Sequence, residues 1–372
     1  MRVNSIKKGL IAGFACVTVS FVAESVYGQS KQPIATIEVP YKQKAYVGKP
    51  LAWDGREMML LRRDGKVSVL PVKTDRDYST VSAGFKPFSA VEMRKRLQSE
   101  FGNKYDVSLT HDFIVVHPPG SPQVWATPFQ QLYARFQAYF TTRGFRLQNP
   151  EFPMVAIVLR TRGEFDRMLK AFHHYDSSVL GYYSPRSNRI ITYDQSEGRS
   201  KDRSWLFNAG TILHEATHQT AFNTGLHSRF APVVRWESEG LAMLFEARGV
   251  NNSQNYPRQE DRIHAARFAQ LKKLYREGNV QGKLADLVVS DDLFRTDAQA
   301  AYAISWGMTF YFTEVMPSNY KQFLKNDAAR TDFSSYSRKQ RAADFAKVFG
   351  GNFEEIEARM KRFYQDLKQP DR

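Results

Sequence analysis

His214-Glu215-Ala216-Thr217-His218 spells H-E-x-x-H inside a stretch, Trp205 to Ala221, that reads as a helix. Residues four apart share one helix face, so both imidazoles can reach a single ion. Glu215 projects about 100° around the axis, close enough to touch a water on that ion. Chance writes this pattern into roughly one chain of this size in a hundred, so it needs a partner. Trp236-Glu237-Ser238-Glu239-Gly240-Leu241-Ala242, on a second predicted helix, offers a carboxylate as third ligand.

Imidazole and carboxylate suit zinc, and a catalytic zinc keeps three protein ligands and one open position for water. His214, His218 and Glu239 form that set around one Zn2+ per chain. The ion would bring its water to a pKa of about 7 and polarise a carbonyl. Glu215 is then the general base that passes the proton to the leaving amine. Glu237 competes with Glu239, but the two point about 200° apart on a helix and only one can face the ion. Glu246 lies seven after Glu239, shares its face, and is expected to hydrogen-bond a ligand or hold the helix. His227 lies nine after His218. A metzincin needs a histidine six after, where this chain has Thr224, so that class is rejected.

These groups need elements to hold them. Residues 29–87 read as β-rich, with Met58 to Leu61 and Val67 to Leu70 forming a hairpin around Asp64-Gly65. The segment from Leu60 to Tyr78 weakly resembles small SH3-like modules. Helices are predicted at Ser89 to Phe101, Phe129 to Phe140 and Glu164 to Phe172. Strands are predicted at Tyr105 to Leu109, Phe113 to His117, Met154 to Leu159 and Arg189 to Tyr193. From Trp236 onward the chain reads as helical over Trp236–Ala247, Asp261–Arg276, Gln299–Val315, Lys339–Val348 and Phe353–Leu367, with a polar loop at Asn251 to Arg258. The fold class expected is α+β: a small sheet beside the H-E-x-x-H helix, then a helical lobe, with an N-terminal β-rich accessory unit. The divisions are 1–28, 29–103 (accessory), 104–320 (metallopeptidase-like) and 321–372 (a helical extension packed on it).

The chain has 372 residues, 42% hydrophobic and 13% aromatic, enough for a large core and against global disorder. Arg2, Lys7 and Lys8 precede an apolar run from Gly9 to Ala23, and Val26-Tyr27-Gly28 offers a cleavage site: residues 1–28 read as an export signal. The destination is periplasm, cell envelope or exterior. Cleavage would remove Cys16, the only cysteine, and leave no thiol. No second segment is long and apolar enough to span a bilayer. Formal charge is +15; without residues 1–28 there are 50 basic and 37 acidic residues, or +13. Such a balance favours anionic surfaces, wall polymers or acidic substrates, and nucleic acid is not expected for an exported chain.

His214-Glu-Ala-Thr-His218-Gln followed by Trp236-x-x-Glu239-Gly-Leu-Ala resembles the gluzincin metallopeptidases (the peptidase MA group). It looks most like an exported bacterial branch of that group described only as a domain of unknown function. Gly181-Tyr182-Tyr183-Ser184-Pro185-Arg186, read as a turn leading into the Arg189 to Tyr193 strand, fits that branch, and the likeness spans roughly residues 104–320. It implies a thermolysin-like catalytic domain, His214, His218 and Glu239 as ligands and Glu215 as base. It also implies a hydroxyl on the oxyanion, for which Tyr302 stands at a family-like separation. Met243 stands where the thermolysin branch has an acid, which leaves the orienting role to Glu246 or another residue. A G-x-M-E-N-like aminopeptidase strand is missing. Tyr182 and Tyr183 are expected to line a cleft edge where a peptide adds as a strand. His111, His117, His173, His174 and His264 read as ordinary. Two functions follow: a zinc endopeptidase acting on protein or peptide, or a catalytically weak relative that binds anionic wall or matrix polymer. Retention of Glu215 favours the enzyme.

Overall fold

The computed structural model describes residues 35–120, 122–171, 179–196 and 204–368. Residues 1–28, read above as an export signal, with Cys16, and His173 and His174 lie outside them.

Five antiparallel strands open the chain: β1 (Thr36–Tyr41), β2 (Lys44–Trp53), β3 (Glu57–Arg62), β4 (Val67–Pro71) and β5 (Ser79–Ser82). Their order, β4-β3-β2-β1-β5, brings the last strand back to the first, an arrangement compatible with the SH3-like likeness. The hairpin expected around Asp64-Gly65 is β3–β4. Ile37, Val39, Met58, Leu60, Leu70 and Val72 fill this unit's own core. A second patch, Leu61 and Val67 with Phe152, joins it to the rest of the molecule. There the Val67 N–H donates to the Arg186 carbonyl at 2.8 Å, and the Arg229 guanidinium donates to both Gly65 O (2.7 Å) and Pro185 O (2.6 Å).

Helix α1 (Ala90–Phe101) starts at a capping box in which Ser89 and Glu92 satisfy each other's backbone N–H. Its apolar stripe, Met93 and Leu97, packs on the second sheet rather than the first. That sheet contains β6 (Asp106–Leu109), β7 (Phe113–His117), β8 (Met154–Leu159), β9 (Gly181–Ser184) and β10 (Arg189–Tyr193), in the order β6-β7-β8-β10-β9. The inner three strands are parallel and the two edges antiparallel. Strand alternation sends Phe113, Val115, Met154, Ala156 and Ile190 to one face and Ile114, Val116, Val155, Ile157 and Ile191 to the other. Both faces are covered, which is why β8 reads as an unbroken apolar run. Helices α2 (Pro122–Trp125) and α3 (Thr127–Thr142) lie on the first face; α4 (Arg162–Ala171) joins α1 on the second.

One of these strands revises the sequence reading. Gly181 to Ser184 is the edge strand β9 itself, not a turn, and the turn follows at residues 185–188. Asn188 occupies its left-handed position at φ 54°, a conformation that asparagine tolerates better than most residues.

The helical lobe continues the core of the first face. It contains α5 (Ser204–Asn223), α6 (Arg235–Glu246), α7 (Arg248–Asn251), α8 (Ala265–Arg276), α9 (Lys283–Val289), α10 (Leu293–Thr296), α11 (Ala298–Val315), α12 (Pro317–Ala328), α13 (Arg338–Phe349) and α14 (Phe353–Asp366). Helices α9 and α12 were not anticipated. Residues 321–368 share one continuous core with α11 through Phe323, Phe345, Phe349, Met360 and Tyr364. Among the described residues no helix is long and apolar enough to cross a membrane.

Candidate metal centre

Helix α5 is tied to the sheet by amides. Gln219 Nε2 donates to Val155 O (3.1 Å) and Asn188 O (2.8 Å). Asn223 and Asn188 exchange side-chain hydrogen bonds at 2.8 Å each. Helix α6 is held from the other side. Trp236 is fully buried and stacks on Phe323 with centroids 5.4 Å apart. A Cβ built on Gly240 would stand 2.1 Å from Thr309 Oγ1 and 2.6 Å from Ser305 O, so α6 lies against α11 closer than any side chain would permit. The Trp and Gly of the W-x-x-E-G segment thus set the position of Glu239.

The result is a triangle of donor atoms. His214 Nε2 lies 3.2 Å from His218 Nε2 and 3.2 Å from Glu239 Oε2, and His218 Nε2 lies 3.8 Å from Glu239 Oε2. Ligands about 2.0–2.1 Å from a tetrahedral zinc stand about 3.3 Å apart. Among the described residues these three form the one group of histidine, cysteine or carboxylate side chains able to hold a metal ion. His218 and Glu239 are buried, while His214 keeps 18% of its side chain exposed.

Glu246 faces the back of His214. Its Oε1 accepts from His214 Nδ1 at 2.8 Å, which leaves Nε2 turned to the triangle, and its Oε2 meets His264 Nε2 at 3.0 Å. Burial pushes the His214 pKa down, but the bonds to Glu239 and Glu246 outweigh it and hold it well above the usual value. Burial pushes Glu239 up, yet its contacts with His214 and His218 keep it well below the carboxylate range. Glu246 shows the same balance and falls to about 2. Two carboxylates held ionised around imidazoles make a cluster that draws positive charge, and a divalent cation fits it chemically.

Glu215 lies beside the triangle, 7% exposed. Its Oε2 accepts from the Tyr183 backbone N–H of edge strand β9 at 2.7 Å. Burial raises its pKa.

Tyr302 on α11 approaches from the opposite helix. Its hydroxyl lies 3.5 Å from Arg235 Nη2, and Arg235 Nε lies 3.7 Å from Glu239 Oε1. Burial, then the charge of Glu239, raises the Tyr302 pKa and keeps the phenol protonated. Arg235 also covers the Phe294 ring at 4.0 Å. Sequence reasoning missed Arg235, although its place four before Glu239 puts the two on one face. It also set aside His264, whose partner Glu246 lies across a loop with no spacing signal. The Tyr183 N–H carries no sequence signal at all.

Other predicted residues go elsewhere. The rings of Tyr182 and Tyr183 do not line a cleft together. Tyr183 is fully buried, stacks on Phe222 and donates its hydroxyl to Asn188 at 2.9 Å. Tyr182, next in the alternation, packs half-buried on the opposite face of the sheet. Glu237 and His227 pair with each other at 2.8 Å, fully buried, away from the triangle. The Tyr320 hydroxyl donates to the other Glu237 oxygen at 3.2 Å.

Residues 208–334 match a family described as Protein of unknown function (DUF1570). The match covers all three donors, Glu215, Glu246, His264 and Tyr302, and begins after the sheet. No curated protein matches the chain.

Proposed function

We propose that the chain is an exported zinc-dependent metallopeptidase of the gluzincin type that hydrolyses peptide bonds. The observation that carries this reading is the triangle of His214, His218 and Glu239 with Glu215 beside it. The basic and apolar run over residues 2–23 supports export. When bound, zinc supplies a Lewis acid that activates water and polarises the scissile carbonyl.

This chain's residues do the rest. Glu239 and the two histidines supply the donors, and Glu246 keeps the His214 Nδ1 proton on the outer side of the ring. Glu215 takes a proton from the attacking water and returns it to the leaving amine. Its Oε2 is held by the Tyr183 N–H, which aims the carboxylate, and its burial makes it a stronger base than a solvated glutamate. Tyr302, kept protonated, donates a hydrogen bond to the oxygen on which negative charge develops. Arg235 holds Tyr302 and Glu239 in one frame.

Zinc content and cleavage of a quenched fluorescent peptide library test the reading together. The native chain is expected to hold about one zinc and cleave. Glu215→Gln should keep the metal and lose about 1,000-fold or more in rate, and His218→Ala should lose the metal. Turnover that survives Glu215→Gln removes Glu215 as the base. A native chain that takes up no zinc on reloading removes the whole reading.

A further inference from the structure

We infer that His264 is a positioning residue for the metal centre: it pins Glu246, and through Glu246 it fixes which nitrogen of His214 faces the ion. This rests on the metal reading of the site and adds to it a residue outside the donor set. The argument starts at a helix end. His264 is the N-cap of α8, and its Nδ1 accepts from the Arg267 backbone N–H at 3.4 Å. A ring nitrogen that accepts carries no proton, so the His264 proton sits on Nε2. That nitrogen faces Glu246 Oε2 at 3.0 Å and donates to it. With Oε2 of that carboxylate taken by His264, its other oxygen lies 2.8 Å from His214 Nδ1 and accepts the N–H there. With Nδ1 holding that proton, the nitrogen of His214 that can give up its proton to an ion is Nε2, the atom in the triangle.

Each link fixes the next, and the chain begins at a backbone amide that cannot change tautomer. Glu246 keeps 22% of its side chain exposed, so without His264 its carboxylate could turn to solvent. Partners one step behind a metal ligand commonly govern metal affinity by 10–100-fold, about tenfold being the expectation for a residue one step further.

The two roles of His264 can be separated. His264→Asn keeps a side-chain acceptor at the cap, where asparagine ranks among the best residues, but is too short to reach Glu246. His264→Gln extends an amide donor as far as the imidazole Nε2 does, but is the poorer cap. Zinc affinity, measured by competition with a chromophoric chelator, and melting temperature are read on the full-length protein and both variants. We expect His264→Asn to melt like the native chain and to bind zinc about tenfold more weakly. His264→Gln should melt earlier and bind within about twofold of native. A structural role alone predicts the reverse, with affinity following melting temperature, and that result would overturn the inference. So would native-like affinity in His264→Asn, while the reading of the site would stand because the native chain binds. A native chain that binds no zinc removes both. In histidine-labelled, zinc-loaded protein, a proton–nitrogen correlation spectrum should place the His264 proton on Nε2, and a proton on Nδ1 refutes the relay.

Discussion

Gly181 and Glu215 approach so closely that a Cβ on the glycine would stand 2.9 Å from the Glu215 Cγ and 2.5 Å from Thr211 Cγ2. Only a bare backbone lets β9 come near enough to α5 for the Tyr183 N–H to hold the carboxylate. Gly181→Ala should therefore displace the base. A misplacement on the order of 1 Å costs about 100-fold in rate, so peptide cleavage should fall by about that factor while zinc content stays native. A variant that cleaves at the native rate would show that the contact is incidental.

Gly240→Ala tests how α6 is seated. The added methyl meets Thr309 Oγ1 and the Ser305 backbone, and backbone cannot rotate away. The expected cost is about 3 kcal/mol, at the upper end for overpacking. It should appear as a lower denaturant midpoint at an unchanged slope.

His227 belongs to the core and not to the metal. Removing one partner of a buried ion pair costs about 3–5 kcal/mol, so His227→Gln should destabilise the fold and leave the zinc content intact. Burial lowers the His227 pKa, but the charge of Glu237 outweighs it and the net shift is upward. A raised folded pKa means that the stabilisation is complete below the ordinary histidine value and fades as pH climbs through the folded one. The gap between native and variant in denaturant melts should thus narrow as pH rises above the ordinary histidine value. A gap that widens would contradict the assignment.

Glu164 gives the opposite pH sign. Arg160 bonds to it, Tyr105 donates its hydroxyl at 2.5 Å and the Arg160 N–H donates at 3.1 Å. Led by the Arg160 bond, these contacts lower its pKa from 4.5 to about 2. Its contribution is present above 4.5, shrinks as pH falls, and vanishes below about 2. With Arg160 partly exposed, Glu164→Gln should cost about 1–2 kcal/mol at neutral pH. Acid titrations of the two proteins should converge at low pH.

Residue periodicity carried far along this chain because most elements bury one face. Met154 to Leu159 announced a buried strand, and the apolar spacing of Val91, Met93, Leu97 and Phe101 announced α1. The pairing of His214 with His218 needs only helix geometry, and the W-x-x-E-G segment on the next helix offered Glu239, so the triangle could be anticipated. Helix α12 was missed although its signal is present: Pro317 sits in its first turn, and Tyr320, Phe323 and Leu324 follow a helical stripe. What stayed hidden depends on distant segments meeting. His264 faces Glu246 only because the loop after α7 folds back, and it reads as an ordinary histidine until that fold is known. Tyr183 misled for a related reason. Its ring looks like a cleft residue, whereas the group that meets Glu215 is its amide, which every residue but proline possesses.

The family match begins at residue 208, whereas the surface that receives α5 lies upstream of it. Gln219 reaches Val155 and Asn188, and Glu215 reaches Tyr183; all three anchors precede the matched stretch. The matched stretch and the structure that seats it therefore have different boundaries in this protein. The matched stretch transmits donor atoms, but a graft of that stretch alone would arrive without the bed that orients them. To orient Glu215, such a graft would need a sheet edge as bare as Gly181 makes this one.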